Sequence, residues 1–198
     1  MTFWKPWKTS ILSKETAPSS FLQSRGKGLR FYYKIHTVSP HLYSLSAVRE
    51  NSLVFVGLSR TAEGLRDVLV DARLRPAWRE SEWEVLQSEF PTLSAVELWG
   101  TPFQCRVWKE LLALSEDQIV TYQFIAEKLG NPRACRAVGS AVGANPIAGL
   151  IPCHRIVPTN GGLGSYRWGA AIKEMLLREE GGTTRETVPT LSKRLAFH

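Results

Sequence analysis

Between Asn131 and Ala144 the residue pattern permits little besides one amphipathic helix. Asn131 carries an N-cap side chain, and Pro132 has the fixed φ of a first helical position. Ala134, Ala137, Val138, Ala141 and Val142 then recur at i, i+3, i+4, i+7 and i+8, which draws a single apolar stripe. Arg133, Arg136 and Ser140 fall on the opposite face. The helix is small-sided, and Gly139 within it costs about 1 kcal/mol relative to Ala. Small residues permit close approach of another surface, either a neighbouring helix or a groove too narrow for bulky side chains. A preceding helix is expected from Thr121, as its cap, to Leu129, with the break at Gly130–Asn131. Two helices joined by a short Gly-containing turn fit a helix-turn-helix whose second helix displays arginines. An ordinary αα-hairpin with solvated arginines fits the same pattern, and periodicity alone leaves both readings open.

Around this helix the 198 residues allow one domain or two small ones. Residues 1–28 hold scattered Trp, Pro, Ser and Lys without a period and read as a basic, partly ordered arm. Three strand-like runs follow, Leu29–His36, Leu42–Arg49 and Leu53–Leu58, with a hairpin turn at Glu50–Ser52. Thr61 opens a helical pattern with Leu65, Val68, Leu69 and Ala72 on one face, and a second helix is expected over Glu80–Glu89. Pro91, Gly100 and Pro102 mark a boundary, after which Phe103–Leu114 reads as a helix. The expected layout is a small mixed α/β N-terminal domain over 29–95, a mostly helical C-terminal domain over 96–181, and a tail over 182–198. Longest apolar runs such as Leu53–Leu58 fall far short of the roughly 20 residues a membrane span needs. No signal peptide is expected, and a cytoplasmic location follows.

The net charge is +7, and its distribution says more than its size. Residues 128–173 carry Lys128, Arg133, Arg136, Arg155, Arg167 and Lys173 and no Asp or Glu. Folding does not require an acid-free stretch of that length, whereas a surface that approaches phosphates does. The cysteines, Cys105, Cys135 and Cys153, are widely spaced without a CxxC pair, which argues against a disulfide framework or a cysteine zinc site. No metal, no cofactor, no obligate protein partner and a monomer are the expectations.

Chemistry concentrates at Pro152–Cys153–His154–Arg155–Ile156, after the apolar run Ile147–Ile151 and before the Gly-rich Thr159–Gly164. A thiolate is the reactive form of cysteine, and nearby cations such as Arg155 and Arg136 favour it. His154 can take the thiol proton directly or through a water, and Glu180, less favourably Glu179, can orient the imidazole. Cys105 and Cys135 read as packing residues.

The segment Pro152–Cys153–His154–Arg155, together with Arg136–Ala137–Val138–Gly139 and Asn145–Pro146–Ile147, resembles the O6-alkylguanine-DNA alkyltransferases, also called methylated-DNA–protein-cysteine methyltransferases. The resemblance extends through Thr101–Pro102–Phe103–Gln104, Val107–Trp108, Thr121–Tyr122–Gln123 and Ser165–Tyr166–Arg167–Trp168–Gly169 to Leu176–Leu177, about residues 100–181. It implies a ribonuclease H-like N-terminal domain and a C-terminal helix-turn-helix bound in the minor groove of duplex DNA carrying O6-alkylguanine. Cys153 would accept the alkyl group irreversibly, once per protein, with His154 as water-mediated base and Glu180 completing the relay. Asn145 would hold the turn before the nucleophile, and Tyr122 would assist protonation of the departing guanine. Arg136 would enter the duplex where the damaged nucleotide is flipped out. Arg133, Ser140 and Arg155 join the expected DNA contacts. Ile156, Tyr166 and Arg167 would line the guanine pocket, with the carbonyls of Cys153 and Ile156 accepting from the base.

The sequence departs from the family at three points. Gly164–Ser165 stands where many bacterial relatives have the two exchanged. No cysteine precedes Cys105, so neither the zinc of some members nor the four-cysteine regulatory domain of others is expected. Ala148 and Gly149 are small where some relatives carry proline, which points to tolerance of larger alkyl groups. Two other readings stay open: a lesion-binding relative without transfer, and a Cys-His-Glu hydrolase.

Overall fold

The computed structural model describes residues 29–73, 82–85, 95–115 and 118–180. The arm 1–28 and the tail 182–198 lie outside the described residues. The content is mixed α/β, in two compact units. The first takes in the chain up to Thr101 together with Pro146–Leu150, and the second begins at Pro102 and resumes at Ile151. No helix among the described residues is long and apolar enough to cross a membrane.

In the first unit β1 (Arg30–Ser39), β2 (Leu42–Arg49) and β3 (Ser52–Ser59) form an antiparallel meander. Glu50 turns the second hairpin with a left-handed φ of 54°. β2 is central and buried on both faces, with Leu45 and Ala47 alternating with Ser44 and Ser46. Helix α1 (Leu65–Arg73) packs on β2 and β3 through Leu65, Val68 and Ala72. It begins later than its expected start at Thr61. The Thr61 hydroxyl instead accepts from Gly64 N at 3.1 Å, inside the turn that leads into the helix.

The helix expected over Glu80–Glu89 is not what forms at its described residues. Glu82–Val85 is a strand, β4, parallel to Arg30–Tyr33 of β1. Pairing with the sheet overrides the helical propensity of the glutamates. Glu82 and Glu84, two residues apart, both meet Arg30, at 3.2 and 3.3 Å. A short strand β5 (Ala95–Val96) lies on the other side, parallel to β3, giving the order β4-β1-β2-β3-β5. Glu97 continues this edge, donating its N–H to Leu53 O and taking Arg49 at 3.0 Å through its carboxylate. These bonds carry the first unit past the boundary expected at residue 95. Pro146–Leu150 belongs to the same unit because Val56 N donates to Pro146 O and Ala148 N to Val56 O.

The second unit starts with α2 (Pro102–Leu112), where Pro102 occupies a position that needs no N–H. Val107, Trp108 and Leu111 bury one face, and Trp108 Nε1 donates to Ala141 O at 2.8 Å. β6 (Val120–Thr121) pairs in parallel with β7 (Ile156–Val157). Helix α3 (Tyr122–Lys128) is capped by Thr121, whose hydroxyl accepts from Phe124 N at 3.1 Å. Gly130, at φ 72°, ends it. The next helix enters differently from expectation. Pro132–Ala134 is a 3-10 turn, and the Asn131 side chain makes no cap bond. The Asn131 carbonyl accepts from Ala134 N instead, at 2.9 Å. α4 (Cys135–Gly143) then buries Val138, Ala141 and Val142, while Ala137 of the expected stripe is exposed. α5 (Ala170–Glu179) closes the unit with Ile172, Lys173, Leu176 and Leu177 buried.

Removing the α3 cap tests this local account. Thr121→Ala is expected to lower stability by about 1 kcal/mol, whereas Thr121→Ser, which keeps the acceptor, leaves it nearly unchanged. Urea denaturation of the three proteins measures the difference.

Candidate active site

A single 3-10 turn, Cys153–Arg155, presents the reactive residues, and all three are buried. Asn145, just beyond α4, fixes the turn from one side. Its Nδ2 donates to Ile151 O at 3.0 Å and reaches Cys153 Sγ at 2.9 Å. The Tyr166 hydroxyl stands 4.0 Å from the same sulfur. Burial pushes the Cys153 thiol up, while the hydrogen bonds from Asn145 and Tyr166 and the charge of Lys173 pull it back down.

The other side of the turn is an ion network. His154 Nε2 meets Glu180 Oε2 at 2.9 Å. Arg155 donates Nε to the same oxygen at 2.8 Å, and its Nη2 lies 2.7 Å from Oε1. Burial opposes ionisation of Glu180. The hydrogen bonds and charges of His154 and Arg155 overcome it and bring the carboxyl down to about 2. Burial also lowers the His154 pKa, against the pull of Glu180. The imidazole is therefore neutral at physiological pH. With its Nε2–H directed at Glu180, the lone pair is left on Nδ1. Nδ1 is buried and has no hydrogen-bond partner among the described residues. That is the state a proton acceptor needs. Glu179 is exposed and takes no part.

Two expectations need correction. Arg155 does not face outward toward DNA. It is 1% exposed, and besides Glu180 it donates to Ser115 O at 2.9 Å, just past the end of α2. A carboxylate and carbonyls at the end of a helix are stronger partners for a guanidinium than solvent is. Nor is Arg155 the cation that acts on the thiol; that is Lys173. Sequence reasoning missed Lys173, although its spacing before Leu176 and Leu177 puts it in the buried stripe of α5. The Ile156 carbonyl, expected to accept from the base, already accepts from Lys173 Nζ at 2.5 Å. The Ile156 side chain is fully buried.

The remaining predicted residues divide between two surroundings. Tyr122 opens α3, and burial followed by the proximity of Cys153 pushes its phenol up, so it stays protonated. Tyr166 is pushed further up, again by burial first. Gly164 lies near the Tyr122 hydroxyl and has φ 68°; a Cβ there would sit 2.9 Å from Pro158 Cδ, so only glycine fits. Arg133, Arg136 and Ser140 are exposed, and the Ser140 hydroxyl donates to Arg136 O at 3.1 Å. Arg167, also exposed, donates to Gly143 O at 3.0 Å. Cys135, half-buried, donates its thiol to Gln123 Oε1 at 2.7 Å, and Cys105 is half-buried as well.

Glu180→Gln removes the charge shared by His154 and Arg155. It is expected to cost about 3–5 kcal/mol at pH 7, because a buried guanidinium loses its counter-charge. The wild-type stabilisation by Glu180 is present above the ordinary carboxylate range. It fades as pH falls from about 4.5 toward the folded value of about 2, so the gap between the two proteins narrows over that window. Urea unfolding at pH 7 and pH 3 measures it.

The sequence and the fold place this site among known proteins. The model of the 6-O-methylguanine DNA methyltransferase DNA-binding domain matches residues 102–182. A methylated-DNA–protein-cysteine methyltransferase of Saccharomyces cerevisiae is 49% identical over 83 residues, which is 42% of this chain. That match spans only 44% of the yeast protein's own length. An O6-methylguanine methyltransferase of Mycobacterium tuberculosis is similar in structure, with 32% identity, 76% of this chain and 92% of that chain covered, and a TM-score of 0.54. A Mycobacterium tuberculosis OGT solved in complex with DNA is 30% identical and covers 81% of this chain and 99% of its own, with a TM-score of 0.55. With 30% identity over 99% of a solved member's chain, the chain belongs to the O6-methylguanine DNA methyltransferase family.

Proposed function

We propose that the protein repairs duplex DNA by direct reversal, moving the alkyl group of O6-alkylguanine irreversibly to Cys153. The observation that carries this reading is the Cys153 sulfur, held at 2.9 Å by Asn145 beside a neutral His154 paired with Glu180. In the step, the Cys153 sulfur forms a bond to the alkyl carbon as the carbon–O6 bond breaks. His154 takes the thiol proton, through a water, and the electron pair leaves with guanine. Guanine gains a proton from Tyr122, whose phenol is held in the protonated form a donor needs. Thiol and aryl-like ether balance without a cofactor. The thioether has no route back to thiol, so each protein acts once.

A base inside a duplex is beyond the reach of a buried thiol, so the damaged nucleotide is flipped out. We read α3 and α4 as a helix-turn-helix, with α4 against the minor groove and Arg136 entering the stack. The exposed face of α4 supports this. A Cβ at Gly143 would meet nothing within 4 Å, and one at Gly139 would only touch the Tyr122 ring at 3.8 Å. Packing among the described residues therefore does not require these two glycines, and a narrow groove would. Arg133 would contact phosphate and Arg167 the pocket rim. The ribonuclease H-like reading of the first unit rests on its meander and the return of β4 parallel to β1. Action on duplex DNA fits a location in the cytoplasm or the nucleus.

Intact mass and peptide mapping after incubation with a duplex containing one O6-methylguanine test the proposal. One added methyl, confined to the Cys153 peptide and absent in Cys153→Ala, is the expected result. Lesion-dependent binding without added mass would reduce the protein to a recognition module. Arg136→Ala is expected to slow transfer from the duplex by about ten- to a hundredfold. Transfer from the free O6-methylguanine base should be unchanged, since no stack has to be entered.

A further inference from the structure

The Cys153 sulfur is flanked by polar side chains from two separate segments. Asn145 follows α4, and its Nδ2 lies 2.9 Å from the sulfur. Tyr166 belongs to the loop that leads into α5, and its hydroxyl lies 4.0 Å away. A further bond ties these two segments to each other. Arg167, next to Tyr166, donates Nη1 to Gly143 O at 3.0 Å, two residues before Asn145.

The end of α4 shows why that carbonyl is open to a side chain. A helix leaves its last carbonyls without partners from within. In α4, Ser140 O accepts from Ala144 N at 3.0 Å and Val142 O from Asn145 N at 3.2 Å. Ala141 O takes the buried indole of Trp108 at 2.8 Å. Gly143 O falls to Arg167, a cation at the negative end of the helix dipole. The same guanidinium lies over the Trp168 ring, 5.5 Å from its centroid. Arg167 is exposed, yet a carbonyl and an aromatic face both hold it where the loop meets the helix end.

Resting on the reading of Cys153 as the nucleophile, we propose that Arg167 is a positioning residue. By fastening the Tyr166 loop to Gly143 O, it keeps Asn145 and Tyr166 at the sulfur together. After burial, the largest influences on the thiol are the hydrogen bonds of Asn145 and Tyr166 and then the charge of Lys173. Tyr122 faces the thiol from α3, and His154 in the same turn is neutral. The charge of Arg167 is not among the largest influences, so its effect runs through the two side chains that it joins.

The test uses iodoacetamide, a small neutral electrophile, and no DNA. Its rate of reaction at Cys153, read by peptide mapping across pH, reports the thiolate. In Arg167→Ala the profile is expected to move to higher pH by about half a unit to one unit. Arg167→Lys, which can still donate to Gly143 O, is expected to restore most of the wild-type profile. The shift should persist in about 1 M salt, where the field of an exposed charge is screened. A shift that vanished in salt would make Arg167 a charge acting at a distance and overturn the proposal. A profile at the wild-type pH, even with the rate scaled equally throughout, would overturn it as well. If duplex binding in that case also lost salt dependence, Arg167 would be a phosphate contact instead. Arg167 lies outside the buried core, so both variants are expected to fold. Failure of alkyl transfer from DNA would change none of the iodoacetamide results, so this inference and the repair function fail separately.

Discussion

A carboxylate withdrawn from water has to be matched by donors, and the match made by Glu180 organises the second unit. The guanidinium of Arg155 occupies both of its oxygens, and the imidazole of His154 takes one of them. Since Arg155 also donates to Ser115 O, one network ties the end of α2, the nucleophile's turn and the end of α5. Removing any member strands a buried charge or an unpaired polar atom. The position of Cys153 is thus set on this side by groups that do not bond its sulfur, while Asn145 holds the turn from the other.

Burial does different work on each reactive group. It drives His154 toward the neutral imidazole that can accept a proton, and it keeps the phenols of Tyr122 and Tyr166 protonated. It also raises the thiol, which opposes the chemistry, and Asn145, Tyr166 and Lys173 act against that rise. On the proposed reading, burial helps the acid and the base and hinders the nucleophile, so a dedicated correction is needed at the nucleophile. Asn145 supplies a hydrogen bond and Lys173 a charge.

Much of this was legible in the sequence where a residue type leaves few choices. Cys153, His154, Glu180, Asn145 and Tyr166 were named beforehand, and the structure brings them together. So were the three strand runs with the hairpin turn between the last two, the cap at Thr121 and the polar face of α4, each written in local pattern. The failures share a cause. Glu82–Val85 reads as helix until a parallel partner, more than fifty residues earlier, recruits it as a strand. Arg155 reads as a surface cation because its carboxylate lies 25 residues away. Lys173 reads as one more positive charge because its spacing before Leu176 and Leu177 does not outweigh the charge until its carbonyl partner, 17 residues earlier, is known. Local pattern sees propensity and composition, and long-range pairing decides which charges face inward.

The claim that joins these features is that Cys153 reacts once and keeps the group. The most direct measurement is the amount of O6-methylguanine lost when lesion-bearing duplex is in large excess over protein. The account predicts a plateau at one lesion per protein, however long the incubation. Continued loss beyond that point would mean that the Cys153–His154–Glu180 arrangement turns over as a hydrolase, and would contradict it.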